Sequence, residues 1–379
     1  MHTYPGGTSP GTFSGVWPKW PRFWSHGDLP ASNGEEDIGR DLWKNFVAWI
    51  ESLDDDTLNG LGALSPMNEP GHLAGVFMYG RDIGSQHFDP YLPPLSREQA
   101  QEYLQKLRAT PYPKTTRRRG GEPAYYTVVP DGPHLRVLKW LDDAVDVFRT
   151  SSLPKRNIEL AVNVHESVFN AQIVPGDDEN DPGGRHPGSM YLIGAWWRSA
   201  TTVDERSSWA VLDVHHYHSW EPQCQGASDG HLIGNYTCSN IQERNDALQR
   251  CTSWATVFRQ AINHECGVGS GKNNGGNGHA KLMSGEMSAS THHKVRHACN
   301  DISTLKASYV AQLQAAKAAN VKLYYWSYKM PYGGAFKPAW SFKHFLYLMG
   351  VLSHPDETNY PCTSDHKPIP GEPNDDIFD

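Results

Sequence analysis

The chain has 379 residues, of which 38% are hydrophobic and 20% charged, and its formal net charge is −8. That length supports a large hydrophobic core in one or two domains, and the acidic balance does not supply the basic surface that nucleic-acid binding needs. No run of about 18 apolar residues occurs, so a membrane-spanning helix is not expected. The 13 Trp, 17 Tyr and 12 Phe residues suit stacking on sugar rings but also fill cores.

Helical and strand patterns alternate along most of the chain, after a first stretch of 36 residues that is rich in Gly, Pro, Ser and Trp. Apolar spacing and end signals predict strands at 61–66, 158–164, 209–216, 281–286 and 321–326, and helices at 36–53, 96–109, 133–151, 239–266, 293–320 and 340–352. Such alternation indicates a parallel sheet with helical crossovers, hence an α/β fold. Five strands are too few for a closed eight-stranded barrel, so the count leaves an open sheet possible.

The strand at 61–66 is followed directly by Asn68-Glu69-Pro70. These residues place an amide and a carboxylic acid at the C-terminal end of a strand, which is where parallel α/β barrels carry their chemistry. A simple strand-to-turn junction explains the same residues equally well. The choice between a catalytic site and a simple turn therefore depends on whether a second acidic group occurs at another strand end.

Glu286 is that second acidic group, because it closes the strand at 281–286. Two carboxyl groups on either side of a glycosidic bond are the minimum that its hydrolysis requires. One has to donate a proton to the leaving oxygen, and the other, when ionised, attacks the sugar carbon. In a retaining enzyme the two groups stand ~5–5.5 Å apart.

Side chains alternate in direction along residues 213–218, at the end of the strand predicted at 209–216. Asp213, His215 and Tyr217 share one face, where the last two are able to orient an acidic nucleophile, whereas His216 and His218 share the other. A metal site at His216 and His218 is the rival interpretation, but the spacing supplies no third ligand. The six Cys allow up to three disulfide bridges, with fifteen full pairings left open.

Trp326 ends the strand at 321–326, where an indole is able to form the floor of a sugar site or simply fill a core. Four motifs then stand in a fixed order at strand ends: Asn68-Glu69-Pro70, the Asp-x-His-x-Tyr at 213–217, Ser284-Gly285-Glu286-Met287-Ser288 and Trp326-Ser327-Tyr328-Lys329. This order resembles glycoside hydrolase family 5 and is most similar to its exo-1,3-β-glucanase branch. The similarity extends over most of residues 1–352.

The resemblance implies a (β/α)8 TIM barrel and a retaining double displacement with two Glu residues. In that family the residue matching Glu69 is the acid/base and the residue matching Glu286 is the nucleophile. The residue matching Asn68 holds the sugar 2-hydroxyl. No cofactor and no metal ion is expected.

The resemblance also assigns substrate-binding roles. His215 and Tyr217 would line the cleft, with Tyr217 near the nucleophile, and Trp326 would stack beneath the sugar. His2, followed by Pro5-Gly6-Gly7, is similar to a loop that closes the third strand of the family barrel.

If His2 ends the third strand, the barrel is incomplete here, with strands 4 to 8 present and strands 1 to 3 largely missing. The Arg that the family carries on an early strand has no counterpart in the chain. We therefore expect a C-terminal part of a longer protein, with residues 1–362 forming the barrel domain and 363–379 an acidic, Pro-rich tail. We expect the full-length protein to be an enzyme, whereas an incomplete barrel leaves the activity of the fragment itself open.

Three functions remain open at this point. The first is a glucan exo-1,3-β-glucosidase-like hydrolase, and the second is an endo-β-1,4-glucanase or mannanase of the same family. The third is an inactive fragment that binds carbohydrate. The expected partner is a β-glucan or oligosaccharide, with no nucleic acid and no membrane span. We also expect a monomer located outside the cell or in the cell wall, and the Asn235-Tyr236-Thr237 sequon is weakly in favour of secretion.

Overall fold

The computed structural model describes Tyr4 and residues 35–69, 133–164, 187–220, 224–228, 235–266, 280–292, 297–329 and 337–356. The predicted helix at 96–109, the tail at 363–379 and His2 lie outside the described residues. The chain divides into two compact units. The first unit is Met1–Val214 with Phe258–Met283, and the second unit is His215–Val257 with Ser284–Asp379. A single barrel domain over 1–362 stays a prediction.

Helices and strands alternate through the described residues. The helices are Glu35–Glu51, Asp55–Asn59, Pro133–Thr150, Pro187–Ala200, Val203–Ser208, Ile241–Cys251, Trp254–Cys266, Ile302–Ala318, Lys337–Trp340 and Phe342–Leu348. The strands are β1 (Ala63–Leu64), β2 (Glu159–Asn163), β3 (Ala210–Asp213), β4 (Gly226–Ala227), β5 (Tyr236–Thr237), β6 (Lys281–Met287) and β7 (Val321–Tyr325). Among these helices, none combines the length and the apolar character that a bilayer crossing requires.

Five of the described strands form one parallel sheet in the order β1-β2-β3-β6-β7. Leu64 pairs with Leu160, Leu160 with Ala210, and Val211 with Lys281. Strands β2 and β3 are buried almost throughout, as expected where helices cover both faces of a parallel sheet. The predicted α/β class and the five predicted strand positions are therefore confirmed.

The core of the first unit is aromatic and lies beneath two helices. Trp43, from Glu35–Glu51, donates a 3.1 Å hydrogen bond from its indole nitrogen to the Ala144 carbonyl of Pro133–Thr150. Phe148 is fully buried and its ring lies 5.3 Å from that of Trp209, just before β3. These contacts join the helices to the sheet that carries the strand ends.

The core of the second unit is built around β7 and the last two helices. Its fully enclosed members are Ala289, Leu305, Ala339, Trp340 and Phe345. Tyr325 of β7 packs against this cluster, with its ring 4.8 Å from that of Phe342. The helix Ile302–Ala318 covers the same side and begins where Asp301 accepts a 2.8 Å bond from the Thr304 amide.

The second unit contains two disulfide bonds near the short paired strands β4 and β5. They join Cys224 to Cys251 and Cys238 to Cys299. Cys266, in the first unit, is a buried free thiol. Its burial raises its pKa to about 11. Spacing in the sequence left these pairings open.

Some predicted helices have the wrong bounds. The single helix predicted at 239–266 is two helices, since the hydroxyls of Thr252 and Ser253 bond to carbonyls of the preceding turn and end it. The helix predicted from 293 begins only at Ile302, after the Asp301 cap. The helix Pro187–Ala200 was not predicted, because several neighbouring positions such as Trp196 and Trp197 are buried and blur the amphipathic period.

Candidate active site

Glu69 lies just after β1 in the first unit and is 9% exposed. Its backbone adopts a left-handed conformation with φ +44°, which is uncommon for any residue but glycine. The Glu69 amide donates a 2.8 Å hydrogen bond to Oδ1 of Asn163. The neighbouring Asn68 is half-buried.

Asn163 is the last residue of β2 and is completely buried. Its Nδ2 donates a 3.2 Å hydrogen bond to Oδ2 of Asp213, the last residue of β3, and the two residues face each other in the strand register. The ends of three consecutive strands in the first unit thus hold Glu69, Asn163 and Asp213 in one chain of hydrogen bonds. The sequence analysis missed Asn163, although a polar residue closing an apolar strand was a readable signal.

Glu286 occupies the penultimate position of β6 in the second unit, and its side chain is 12% exposed. The phenol of Tyr217 donates a 2.7 Å hydrogen bond to Glu286 Oε2. Nδ1 of His215 lies 3.5 Å from the same oxygen. The structure therefore brings Tyr217 and His215 to Glu286, on the face that side-chain alternation predicted.

Ser284 holds the backbone at Glu286 in place through its hydroxyl group. Its hydroxyl donates a 3.0 Å bond to the Glu286 carbonyl and accepts a 3.3 Å bond from the His216 amide. The His216 amide also approaches the Glu286 carbonyl at 3.3 Å. The segment carrying His215 and Tyr217 is thus tied to the end of β6 by main-chain as well as side-chain bonds.

Trp326 is half-buried at the end of β7, and its amide donates a 2.8 Å bond to the Met287 carbonyl. The peptide bond between Trp326 and Ser327 is cis. The Trp326 indole packs edge to face against the Trp340 indole, with 5.7 Å between the ring centres. The Tyr217 ring centre lies 5.4 Å from that of Trp340. Trp340 therefore packs against both Tyr217 and Trp326, in the default core role for a buried indole.

His216 and His218 are both buried in the second unit. Their rings stand 5.5 Å apart, and His216 lies 4.7 Å from Trp254. Burial lowers the pKa of His218 to about 4, and burial together with the neighbouring His218 holds the pKa of His216 well below its usual value. Within the described ranges, no third His, Cys or carboxylate lies close enough to complete a metal site with this pair.

A cluster of side chains of metal-ligand type among the described residues consists of Cys238, Cys299 and Asp301. The two sulfur atoms are joined to each other in a disulfide, so neither is a thiolate able to bind a metal ion. Asp301 meanwhile caps a helix.

No family model matches the chain, and comparisons with curated proteins and with solved structures also find no match. The α/β class consequently rests on the geometry of the chain itself.

Proposed function

We propose that the chain is a retaining glycoside hydrolase that cleaves β-glucan in the manner of a glucan exo-1,3-β-glucosidase. The observation that carries the proposal is the pair of contacts from Tyr217 and His215 to Glu286 Oε2. A strand-end carboxylate that a phenol and an imidazole hold in one orientation is suited to act as a glycosidase nucleophile. The five parallel strands would then be part of a (β/α)8 barrel.

In this mechanism the carboxylic acid of Glu69 protonates the glycosidic oxygen while a carboxylate oxygen of Glu286 attacks the anomeric carbon. The C–O bond to the leaving group breaks, and a covalent glycosyl ester on Glu286 forms. Glu69, now ionised, takes a proton from water, whose oxygen displaces Glu286 from the sugar. The mechanism requires the two carboxyl groups to stand ~5–5.5 Å apart.

The neighbouring side chains supply binding and orientation. Asn68 precedes Glu69 and would bond to the sugar 2-hydroxyl, a contact that strengthens in the transition state. Trp326 would stack on the apolar face of the sugar ring. Its half-buried indole packs against Trp340, which also contacts Tyr217.

The test is hydrolysis of aryl β-glucosides and of a β-1,3-glucan by the full chain. Glu286→Gln should abolish turnover, and Glu69→Gln should slow it strongly for substrates with poor leaving groups. A 2-deoxy-2-fluoro-β-glucoside with a good leaving group should attach one sugar to Glu286, seen by peptide mass spectrometry. Glu243→Gln, at an exposed acidic residue of the helix Ile241–Cys251, is the matched control and should be fully active.

A folded wild-type chain that hydrolyses none of these substrates would overturn the proposal, as would full activity in either catalytic variant. Product analysis separates the remaining alternatives. Release of single glucose units supports exo action, whereas a fast loss of polymer length, or cleavage of β-1,4-glucan or mannan, indicates an endo-acting enzyme. Binding of glucan without hydrolysis indicates a carbohydrate-binding protein.

A further inference from the structure

The backbone of Glu69 adopts a left-handed conformation at the strand ends of the first unit. A residue other than glycine with φ +44° is conformationally unfavourable and persists only where its surroundings hold it. The 2.8 Å bond from the Glu69 amide to Asn163 is one such restraint. This restraint acts on the backbone and therefore sets the direction in which the Glu69 side chain leaves it.

Asn163 is suited to this task by its carboxamide. Its oxygen accepts from the Glu69 amide while its nitrogen donates to Asp213, so both ends of one short, buried group are used. The Asp213 carboxylate, which only accepts hydrogen bonds when ionised, selects the orientation in which the amide oxygen faces Glu69. Among side chains of this length, a carboxamide offers a donor and an acceptor together without having to take up a proton.

We propose that Asn163 is a positioning residue for acid/base catalysis by Glu69, with Asp213 fixing the orientation of its amide. The inference rests on the proposed function, in which Glu69 protonates the leaving group. Loss of the Asn163 amide would release the left-handed turn and move the acid away from the glycosidic oxygen. Proton donation would then weaken, whereas attack by Glu286 would be unaffected.

The closing experiment compares Asn163→Ala with the wild-type chain on a series of aryl β-glucosides, from dinitrophenyl to alkylphenyl leaving groups. We expect kcat/KM to fall about 10- to 100-fold for the poorest leaving groups, which need proton donation, and by less than about 3-fold for dinitrophenolate, which does not. A merely structural role would lower kcat/KM by the same factor throughout the series.

Two further variants keep the test informative if Asn163→Ala folds poorly. Asn163→Asp keeps the size but places a second carboxyl group against Asp213, so it should show the same leaving-group dependence. Asp213→Asn presents an NH2 group as well as an oxygen, so it no longer selects one orientation of the Asn163 amide and should give a smaller loss with the same leaving-group dependence. Gln312→Ala removes a buried amide from the second unit and should leave the dependence on the leaving group unchanged.

These experiments distinguish a failure of the proposed function from a failure of the positioning role of Asn163. A wild-type chain with no activity on any aryl glucoside contradicts the proposed function itself. An active wild type combined with an equal loss on all substrates in both Asn163 variants contradicts only the positioning role.

Discussion

The phenol of Tyr217 donates a 2.7 Å hydrogen bond to Oε2 of Glu286, joining two residues that lie 69 positions apart. His215 approaches the same oxygen at 3.5 Å. The Ser284 hydroxyl accepts from the His216 amide and donates to the Glu286 carbonyl, and these two bonds hold the arrangement in place. The phenol thus orients the carboxylate, as the proposed role of Glu286 as a nucleophile requires.

Replacing Tyr217 by Phe should therefore lower kcat for an aryl β-glucoside by about 10- to 100-fold. A hydrogen bond to a charged group contributes about 1.5–3 kcal/mol, and the variant removes that bond while keeping the ring against Trp340. Steady-state kinetics measure the effect. Tyr324→Phe, which removes a hydroxyl from a half-exposed tyrosine on β7, is the control and should match the wild type. A Tyr217→Phe enzyme with unchanged kcat would refute the role given to this bond.

Sequence patterns predicted this part of the site well, because strand alternation follows from local geometry. The period of two put His215 and Tyr217 on one face and His216 on the other, as found. The positions of the five strands were also readable, since buried parallel strands are continuous apolar runs between turn signals. In contrast, strand β1 has only two residues, fewer than the six predicted, because Pro66 has no amide hydrogen to continue the ladder.

Features that depend on register between distant segments were not predictable. The contact of Asn163 with Glu69 spans 94 residues and exists because β2 lies between β1 and β3 in the sheet. The cysteine pairings likewise depend on where β4 and β5 bring the chain. No local sequence pattern encodes either relationship. The hydrophobic period of a strand shows which face is buried but not which strand lies beside it.

A second prediction concerns stability. Arg149 binds Glu205 with two hydrogen bonds of 2.5 and 3.0 Å and also donates to the Ala200 carbonyl. Burial raises the pKa of Glu205, but the bonds and charge of Arg149 outweigh this and leave that pKa below its usual value. Arg149→Met should lower the free energy of unfolding by about 3 kcal/mol at pH 7, because it leaves a mostly buried carboxylate without its main partner.

The control is Arg156→Met, which breaks an ion pair with Asp55 whose side chains are 42% and 80% exposed. An exposed pair of this kind contributes at most about 1 kcal/mol. Urea unfolding followed by tryptophan fluorescence measures both variants. Equal effects of the two substitutions would show that burial of the Arg149 pair has no energetic consequence.

A third prediction follows from the buried histidines. Burial lowers the pKa of His218 to about 4, whereas the unfolded chain has a value near 6.5. The folded state therefore excludes a proton that the unfolded state binds. The resulting stability is fully present above pH 6.5 and is lost progressively as the pH falls towards 4. For His218 alone the loss between pH 7 and 5 amounts to about 2 kcal/mol, and His216, whose pKa is also lowered, adds to it.

His218→Gln should reduce this pH dependence, because glutamine stays neutral over the whole interval. Urea unfolding at pH 7, 6 and 5 provides the comparison. His354→Gln, at an exposed position of the second unit, should keep the wild-type slope. The assignment is wrong if the two variants lose stability at the same rate as the pH falls.

The disulfide pairing gives the last prediction. Proteolysis without reduction should yield two linked peptides, one joining Cys224 to Cys251 and the other Cys238 to Cys299. Because these bonds close loops with sequence separations of 27 and 61 residues, the chain-entropy model expects their removal to lower the free energy of unfolding by about 3.5 and about 4 kcal/mol.

Serine double variants of each pair, compared by urea unfolding, measure these losses. Cys266 serves as the internal control, since its buried thiol, with a pKa of about 11, should react with iodoacetamide only after the chain is unfolded. A linked peptide joining Cys224 to Cys238, or labelling of Cys266 in the native protein, would contradict the arrangement described for these residues.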